Sequence, residues 1–260
     1  MTEQPALRRL LPDPAALPLD DLYAGLTLAD GGPAQSSWVA LCMVSSLDGA
    51  VSVDGLSGGL GGAADLLALS RLRGANDVSI VGAGTVRDER YVPLTGSEQR
   101  RRDRAARGLR PVPRIAIVTR SGRLDPQLPI FGDPSEPPLV VAGADADPDA
   151  LAALAPHAEI HQLDTVEVSA DGLLGLLARL GLPRVLCEGG PRLSQVMLTA
   201  DRIDEVFLTV APSLVGGPAP RIVHGRDEAA RAMTLVSAFE HGGDLLLRYR
   251  HARHEGASVS

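Results

Sequence analysis

Apolar runs alternate with amphipathic segments along most of the chain, and this alternation is typical of α/β proteins. Short apolar runs predict buried strands at residues 38–44, 77–81, 114–119, 139–142, 159–163, 185–187 and 204–211. Segments with helical spacing lie between them, at residues 63–74, 97–110, 148–154, 172–180 and 193–200. Because strands alternate with helices, we predict a mostly parallel central sheet with helices on both faces.

The two ends of the chain depart from this alternation. Residues 234–240 and 244–250 predict a hairpin around His241-Gly242-Gly243, which would add an antiparallel edge to the sheet. Residues 1–35 are rich in proline, leucine and aspartate and predict an arm that lies against the domain. We therefore divide the chain into an N-terminal arm at 1–35, one domain at 36–252 and a flexible tail at 253–260.

The composition excludes several classes of protein. With 260 residues, of which 45% are hydrophobic, the chain can bury the core of one large domain or of two small ones. A net charge of −7 and only 3% aromatic residues argue against a nucleic-acid partner. No apolar run approaches the ~20 residues of a membrane span, so we expect no membrane partner. Cys42 and Cys187 lie in apolar runs and predict buried, reduced thiols, as expected of a cytoplasmic protein.

Four loops that directly follow predicted strands carry the candidate chemistry. They are Ser45-Ser46-Leu47-Asp48-Gly49, Gly82-Ala83-Gly84-Thr85-Val86, Thr119-Arg120-Ser121 and Glu188-Gly189-Gly190. Ligands of open α/β sheets bind beyond the carboxyl ends of the strands, so these loops indicate one shared site. The glycine pair permits close backbone approach, and Pro191 suits the first position of a helix whose N-terminus binds anions. The alternative for this pair is an ordinary strand–turn–helix connection.

The other polar segments are less specific. The Gly82-Ala83-Gly84 turn is not the dinucleotide fingerprint, because Arg87 stands where the third glycine is needed. Hydroxyls and an arginine at 119–121 suit a phosphate, with an ordinary polar loop as the alternative. The glycine-dense loop at 54–62 predicts either a mobile cover or a flexible connection. The arginines between residues 100 and 110 predict a solvated helix face.

In their order and spacing, the four loops resemble the pyrimidine reductase family of bacterial riboflavin biosynthesis, whose reductase domain has a dihydrofolate-reductase-like fold. The resemblance extends from Trp38 to Arg250 and includes Leu208-Thr209-Val210-Ala211-Pro212 followed by Gly216-Gly217. It is nearest to the stand-alone actinobacterial members, which lack a deaminase domain. His157-Ala158-Glu159 mimics half of a zinc deaminase signature but has no P-C-x-x-C partner, so we predict no metal site.

The resemblance implies a reaction. It is the NADPH-dependent reduction of 5-amino-6-(5-phosphoribosylamino)uracil to its ribitylamino product, with hydride passing to the sugar C1 of the open imine form. The protein would align the two carbons and exclude water, while the cofactor carries the chemistry. The resemblance also implies a homodimer. Two alternatives stay open: a dihydrofolate- or other pteridine-type reductase on the same scaffold, and an NADPH-binding relative that has lost catalysis.

The resemblance further assigns residues to the cofactor. The NADPH pyrophosphate site would be lined by Glu188, Gly189, Gly190, Arg192 and Leu193. The nicotinamide side would be met by Gly82, Gly84, Thr85 and Val86. The 2′-phosphate would face Thr119, Arg120 and Ser121, which would favour NADPH over NADH.

The substrate side rests on fewer residues. The resemblance places Ser46 and Asp48 in the substrate pocket and sets Ser57 and Arg73 at the ribose phosphate. Asp48 and Glu89 are the best candidate acids near the sugar. The alternatives are that Arg73 is a surface cap at a helix C-terminus and that Asp48 is a turn residue.

One expected arginine is absent from this sequence. Family members grip the substrate phosphate with an arginine that has no counterpart near Thr95 and Gly96. Arg90 and Arg100 are the candidate substitutes. A lost charged contact costs about 1.5–3 kcal/mol, which is enough to change the preferred substrate.

Overall fold

The computed structural model describes residues 6–29 and 37–254; the rest of the predicted arm and residues 255–260 of the predicted tail lie outside this range. The strands are β1 (Leu7–Leu11), β2 (Ala15–Leu17), β3 (Trp38–Ser45), β4 (Val78–Gly82), β5 (Arg114–Thr119), β6 (Leu139–Ala142), β7 (Glu159–Gln162), β8 (Arg184–Cys187), β9 (Glu205–Val210), β10 (Met233–His241) and β11 (Asp244–His251). The helices are α1 (Ala63–Ala75), α2 (Ala83–Asp88), α3 (Glu98–Ala106), α4 (Pro148–Leu154), α5 (Ala170–Arg179) and α6 (Pro191–Thr199).

All of these strands join one sheet in the order β2-β1-β10-β11-β9-β3-β8-β4-β5-β6-β7. Neighbours from β9 to β7 run parallel, whereas β11, β10, β1 and β2 add an antiparallel edge. The predicted parallel sheet with an antiparallel C-terminal hairpin is therefore confirmed. Because β3, β8 and β4 are adjacent and parallel, the loops that follow them emerge at the same edge of the sheet.

The two faces of the sheet bury different clusters. Along β3, Val39 and Leu41 point to one face and pack with α5 and α6, while Ala40 points to the other and packs with α1. A third cluster lies beneath α2 and includes Val81 and Ile117. This burial on both faces explains why the central strands are continuous apolar runs rather than alternating ones.

The N-terminal segment belongs to the sheet. β1 pairs antiparallel with β10, where Arg8 lies opposite Glu240 and forms an ion pair of 2.5 Å with it. Leu22 and Tyr23 then pack beneath the sheet, and the Tyr23 ring meets Phe239 edge-on at 5.6 Å between centroids. The predicted arm thus contributes two strands and part of the core to the domain.

The described end of the chain is held in place as well. Asp204 accepts a hydrogen bond from the Val39 backbone N–H, and it also pairs with Arg253 and His254. The His254 ring lies 4.6 Å from the Trp38 ring. Residues 253 and 254, which we predicted to begin the flexible tail, are therefore packed against the start of β3.

Candidate active site

A cavity of about 460 Å³ opens beyond the carboxyl ends of β3, β4 and β8. This volume is within the range of about 300–1,000 Å³ found for small-molecule sites. It is lined by Met43 and Val44 of β3, by Thr85 of α2, by Glu188, Gly190 and Pro191, and by one side of α1. Two of the four predicted loops, at 82–86 and 188–190, therefore contribute directly to one cavity.

The glycine pair forms a turn that only glycine fits well. Gly189 and Gly190 have φ angles of 92° and 57°, in the left-handed region that disfavours side chains. A Cβ atom on Gly190 would lie 3.1 Å from the Thr85 hydroxyl, and one on Gly189 would lie 2.8 Å from the Met43 sulfur. The Gly82 N–H donates to the Gly189 carbonyl at 3.1 Å and holds the two loops together.

This turn leads directly into the N-terminus of α6. Gly190 is the N-cap residue and offers no side chain to the first-turn N–H groups of the helix. Arg192, in the first turn, is exposed. An uncapped helix N-terminus beside a side-chain-free backbone surface suits an anionic group such as a phosphate.

A buried carboxylate stands at the base of the cavity. Glu188, with 2% of its side chain exposed, accepts hydrogen bonds from Arg73 Nε at 2.8 Å and Arg73 Nη2 at 2.5 Å. It also accepts from the Ser79 hydroxyl at 2.6 Å and the Tyr91 hydroxyl at 3.0 Å. Burial, followed by the charge of Glu188, raises the pKa of Tyr91, so this phenol stays protonated and donates. Four hydrogen bonds therefore fix the Glu188 carboxyl group, which in turn orients the Arg73 guanidinium.

Three of the predicted substrate residues meet at the cavity: Ser57, Arg73 and Glu89. Arg73 is in the last turn of α1, but its side chain is only 23% exposed and points to Glu188, so it is not a solvated helix cap. The Ser57 backbone N–H donates to Glu89 Oε1 at 2.6 Å. This bond ties the glycine-rich loop to the end of α2.

Asp48 and Ser46 are not among the described residues that line the cavity. Asp48 accepts hydrogen bonds from the Ser46 hydroxyl at 2.6 Å and from the backbone N–H groups of Val215 and Gly216. The Ser46 hydroxyl, followed by these N–H groups, lowers the pKa of Asp48 to about 2. Asp48 therefore acts as a turn residue that fastens its loop to residues 215–216, and it is ionised near neutral pH.

The other predicted cofactor residues differ in which of their atoms a ligand could contact. The side chains of Val86 and Leu193 are buried in the core clusters, so only their backbones are available to a ligand. Thr119 is buried and accepts from the Gly122 N–H at 3.1 Å. Arg120 is exposed and pairs loosely with Asp145 and Glu167, at 3.8 Å and 3.3 Å. Exposed pairs of this kind contribute roughly 0–1 kcal/mol, so a phosphate can compete for Arg120.

The cavity is also lined by residues that we did not assign to a ligand site from the sequence. They are Cys42, Met43, Asp65, Leu69 and Tyr91. Burial raises the pKa of the Cys42 thiol well above its usual range and that of Cys187 to about 12, and both thiols are free. The only sequence signal for Asp65 is an acid in the first turn of a leucine-rich helix.

The fold is α/β, with a glycine turn beside a cavity at the carboxyl ends of the strands, and comparison with known proteins gives its family. Residues 37–247 match the family described as the RibD C-terminal domain, and the chain belongs to this family. The predicted family and its fold are thereby confirmed.

Three known proteins illustrate the relationship. The 2,5-diamino-6-ribosylamino-4(3H)-pyrimidinone 5′-phosphate reductase of Methanothermobacter thermautotrophicus is 31% identical over 218 residues, which cover 82% of this chain and 97% of that protein. The protein of the same name from Archaeoglobus fulgidus is 27% identical over 162 residues, covering 62% and 74% of the two chains. The crystal structure of a pyrimidine reductase-like protein from Corynebacterium diphtheriae superposes with a TM-score of 0.76 at 23% identity, covering 90% and 98%.

Family membership establishes the general chemistry. The chain is an oxidoreductase of a riboflavin-biosynthesis family, and such a reductase takes a nicotinamide cofactor and a small-molecule substrate. The glycine turn at the uncapped start of α6 fits the phosphates of that cofactor. None of the helices in the described part of the chain has the length and apolarity that a bilayer crossing requires.

Proposed function

We propose that this protein is an NADPH-dependent reductase that converts the ribosylamino group of a phosphorylated aminopyrimidine into a ribitylamino group. The observation that carries the proposal is the presence of two anion-binding features in one cavity. One is the glycine turn before α6, and the other is the Arg73 guanidinium held by Glu188. A dinucleotide and a sugar phosphate need two such features side by side.

The proposed cofactor site is formed mainly by backbone atoms of the two glycine-containing loops. When bound, the nicotinamide supplies the hydride for the sugar C1. Gly189 and Gly190, with the first turn of α6, hold the pyrophosphate, while Gly82, Gly84 and Thr85 approach the nicotinamide side. Met43, Val44, Leu69 and Tyr91 supply apolar surface that excludes water from the reacting carbons.

The substrate phosphate is held by arginines. Arg73 uses two of its five N–H donors on Glu188 and keeps the others for an oxyanion. Arg90 also lines the cavity, whereas Arg100 packs over Gly96 and bonds to the Ser70 hydroxyl. Of the two candidate substitutes for the absent arginine, we therefore favour Arg90, acting with Arg73 and Ser57.

Two pyrimidines are candidate substrates, and they differ in the group at C2 of the ring. The sequence resemblance implies the uracil, whereas the names of the two archaeal relatives specify the 2,5-diamino-pyrimidinone. Absorbance at 340 nm should fall when NADPH and either phosphoribosylated pyrimidine are added, and the ratio of kcat/KM values identifies the preferred one. Turnover of dihydrofolate alone would favour the pteridine reductase, and turnover of none of the three would favour a non-catalytic relative.

NADPH should stabilise the protein more than NADH does. If the loop at 119–121 faces the 2′-phosphate, Arg120 gains a charge-assisted contact with NADPH alone. A ligand at 100 times its Kd stabilises by about 2.7 kcal/mol, which corresponds to a shift of several degrees in Tm. Thermal melts with each cofactor, repeated on Arg120→Gln, test this prediction. Equal shifts from both cofactors would remove 119–121 from the binding site.

We also propose that the protein is a cytoplasmic homodimer, as the family resemblance implies. Light scattering coupled to gel filtration should give twice the chain mass of 27.1 kDa. A monomer that is fully active would contradict the dimer without affecting the proposed reaction.

A further inference from the structure

Asp65 is an acid of the cavity that takes no part in holding the cofactor or the substrate phosphate in the proposed function. Asp65 lies in the first turn of α1, half-buried, and it lines the cavity together with Cys42 and Arg73. A Cβ atom on Gly61 would lie 2.1 Å from Asp65 Oδ2, so only glycine at 61 leaves room for this carboxyl. The Asp65 carboxyl is therefore closely packed against Gly61.

Helix capping does not account for Asp65. An acid at the third helical position often accepts a hydrogen bond from the N–H of the N-cap residue. Here the N-cap residue is Gly62, and its N–H donates instead to Asp244 Oδ2 at 3.2 Å. The N-cap N–H is therefore bonded to Asp244 and not to Asp65, and the Asp65 carboxyl can face the cavity.

The surroundings favour the protonated form of Asp65. Burial raises its pKa, the Thr209 hydroxyl opposes this increase, and the Asp244 carboxylate adds to it. Cys42 faces Asp65 from β3, while His241 and Glu240 act on Asp244 from the end of the hairpin. Two arginines line the cavity: Arg73 is engaged by Glu188, and Arg90 is exposed. Neither forms an ion pair with Asp65 among the described residues.

The other acids of the cavity are either engaged by protein donors or exposed to solvent. Glu188 accepts four hydrogen bonds, two of them from the Arg73 guanidinium. Glu89 accepts the Ser57 N–H through Oε1, and Asp88 is exposed at the end of α2. Among the described acids that line this cavity, Asp65 is half-buried and, unlike Glu188, forms no ion pair.

Resting on the proposed function, we propose that Asp65 is the proton donor of the reduction. When hydride forms the new C–H bond at the sugar C1, the π electron pair of the C=N bond moves to the nitrogen attached to the pyrimidine. That nitrogen takes the proton from the Asp65 carboxyl, so a secondary amine forms and a carboxylate remains. Water reprotonates Asp65, and each turnover therefore consumes one hydride and one proton.

The first test compares Asp65→Asn with the wild-type protein. General acids contribute about 10²- to 10⁴-fold, so kcat should fall at least about 100-fold while the Kd for NADPH changes little. Wild-type kcat should fall tenfold per pH unit above the pKa of Asp65, and this decline should be absent in Asp65→Asn. Asp65→Glu should restore part of the rate. Full activity of Asp65→Asn would overturn the proposal. So would a Glu89→Gln variant in which kcat no longer falls at high pH, if kcat of Asp65→Asn still falls.

A second measurement does not depend on turnover. Carbon-13 NMR of protein labelled at aspartate carboxyls should show resonances for both Asp65 and Asp244 that titrate above the ordinary range, because burial raises the pKa of each, and Asp65→Asn should lack one of the two. Since the folded state holds this proton more tightly than the unfolded chain does, ionised Asp65 destabilises the fold as pH rises through the raised pKa. Asp65→Asn should therefore raise Tm at neutral pH.

These experiments distinguish failure of the proposed proton donor from failure of the proposed reaction. A lower Tm for Asp65→Asn with unchanged kcat would overturn the proposal, because a structural role alone predicts that result. No turnover of either pyrimidine by the wild-type protein would overturn the proposed function and the proton donor with it. Turnover by wild type and Asp65→Asn alike would overturn the proton donor alone.

Discussion

Replacing Gly190 with valine should raise the Kd for NADPH by about 100-fold or more, which is about 2.7 kcal/mol. The new side chain would project 3.1 Å from the Thr85 hydroxyl, into the space between the two loops where we place the pyrophosphate. It would also displace the turn that presents the start of α6. Fluorescence of bound NADPH, followed by titration, measures the loss.

Valine at this position also strains the backbone, and the experiment needs a control for that. With φ at 57°, a β-branched residue costs on the order of 1–3 kcal/mol of folding free energy. Gly181, which follows α5, has φ of 72° and open space around its Cα, so Gly181→Val imposes similar strain away from the cavity. Similar affinity losses in both variants would mean that strain, not blocked approach, explains the effect.

Arg73→Ala should weaken substrate binding far more than cofactor binding and should also destabilise the protein. Removing one partner of a buried ion pair costs about 3–5 kcal/mol, because Glu188 would remain buried without a counter-charge. Substrate KM should rise at least tenfold, since the phosphate loses its guanidinium. Calorimetric titration with each ligand and chemical unfolding measure the two effects separately.

A double variant distinguishes the two roles of Arg73. Arg73→Met combined with Glu188→Gln removes both charges and should recover much of the stability lost in Arg73→Met alone. Substrate binding should stay weak in the double variant, because neither new side chain holds a phosphate. If substrate affinity recovered along with stability, Arg73 would be a structural partner of Glu188 and no more.

Local hydrophobic patterns in the sequence were enough to predict the central part of the fold. Strands β5 and β6 and helix α4 have the predicted bounds because each is a short segment, largely apolar or well capped, next to prolines and loops. The edge strands β1 and β2 were not predicted, since they are short and proline-flanked. β1 also pairs with a strand more than two hundred residues away, which no local pattern encodes.

The sequence allows the site to be predicted only where the backbone conformation restricts the residue type. The glycine turn at 189–190 follows from residue type, because only glycine suits its φ angles. The directions of side chains do not follow in that way. The arginine-rich α3 was expected to face solvent, yet Arg104 is buried and donates to the carbonyls of Arg73 and Asn76. Asp65 was missed for the same reason, as a single acid in a leucine-rich helix.

The pairing of β1 with β10 bears on how shortened versions of this protein should be designed. The family match begins at residue 37, but a fragment cut there would lose β1 and leave the outer edge of β10 with unsatisfied peptide groups. Phe239 and Phe207 would no longer be covered by Tyr23, so exposed aromatic surface would lie beside an unpaired strand edge. Such a fragment should aggregate, and expression should start upstream of Leu7.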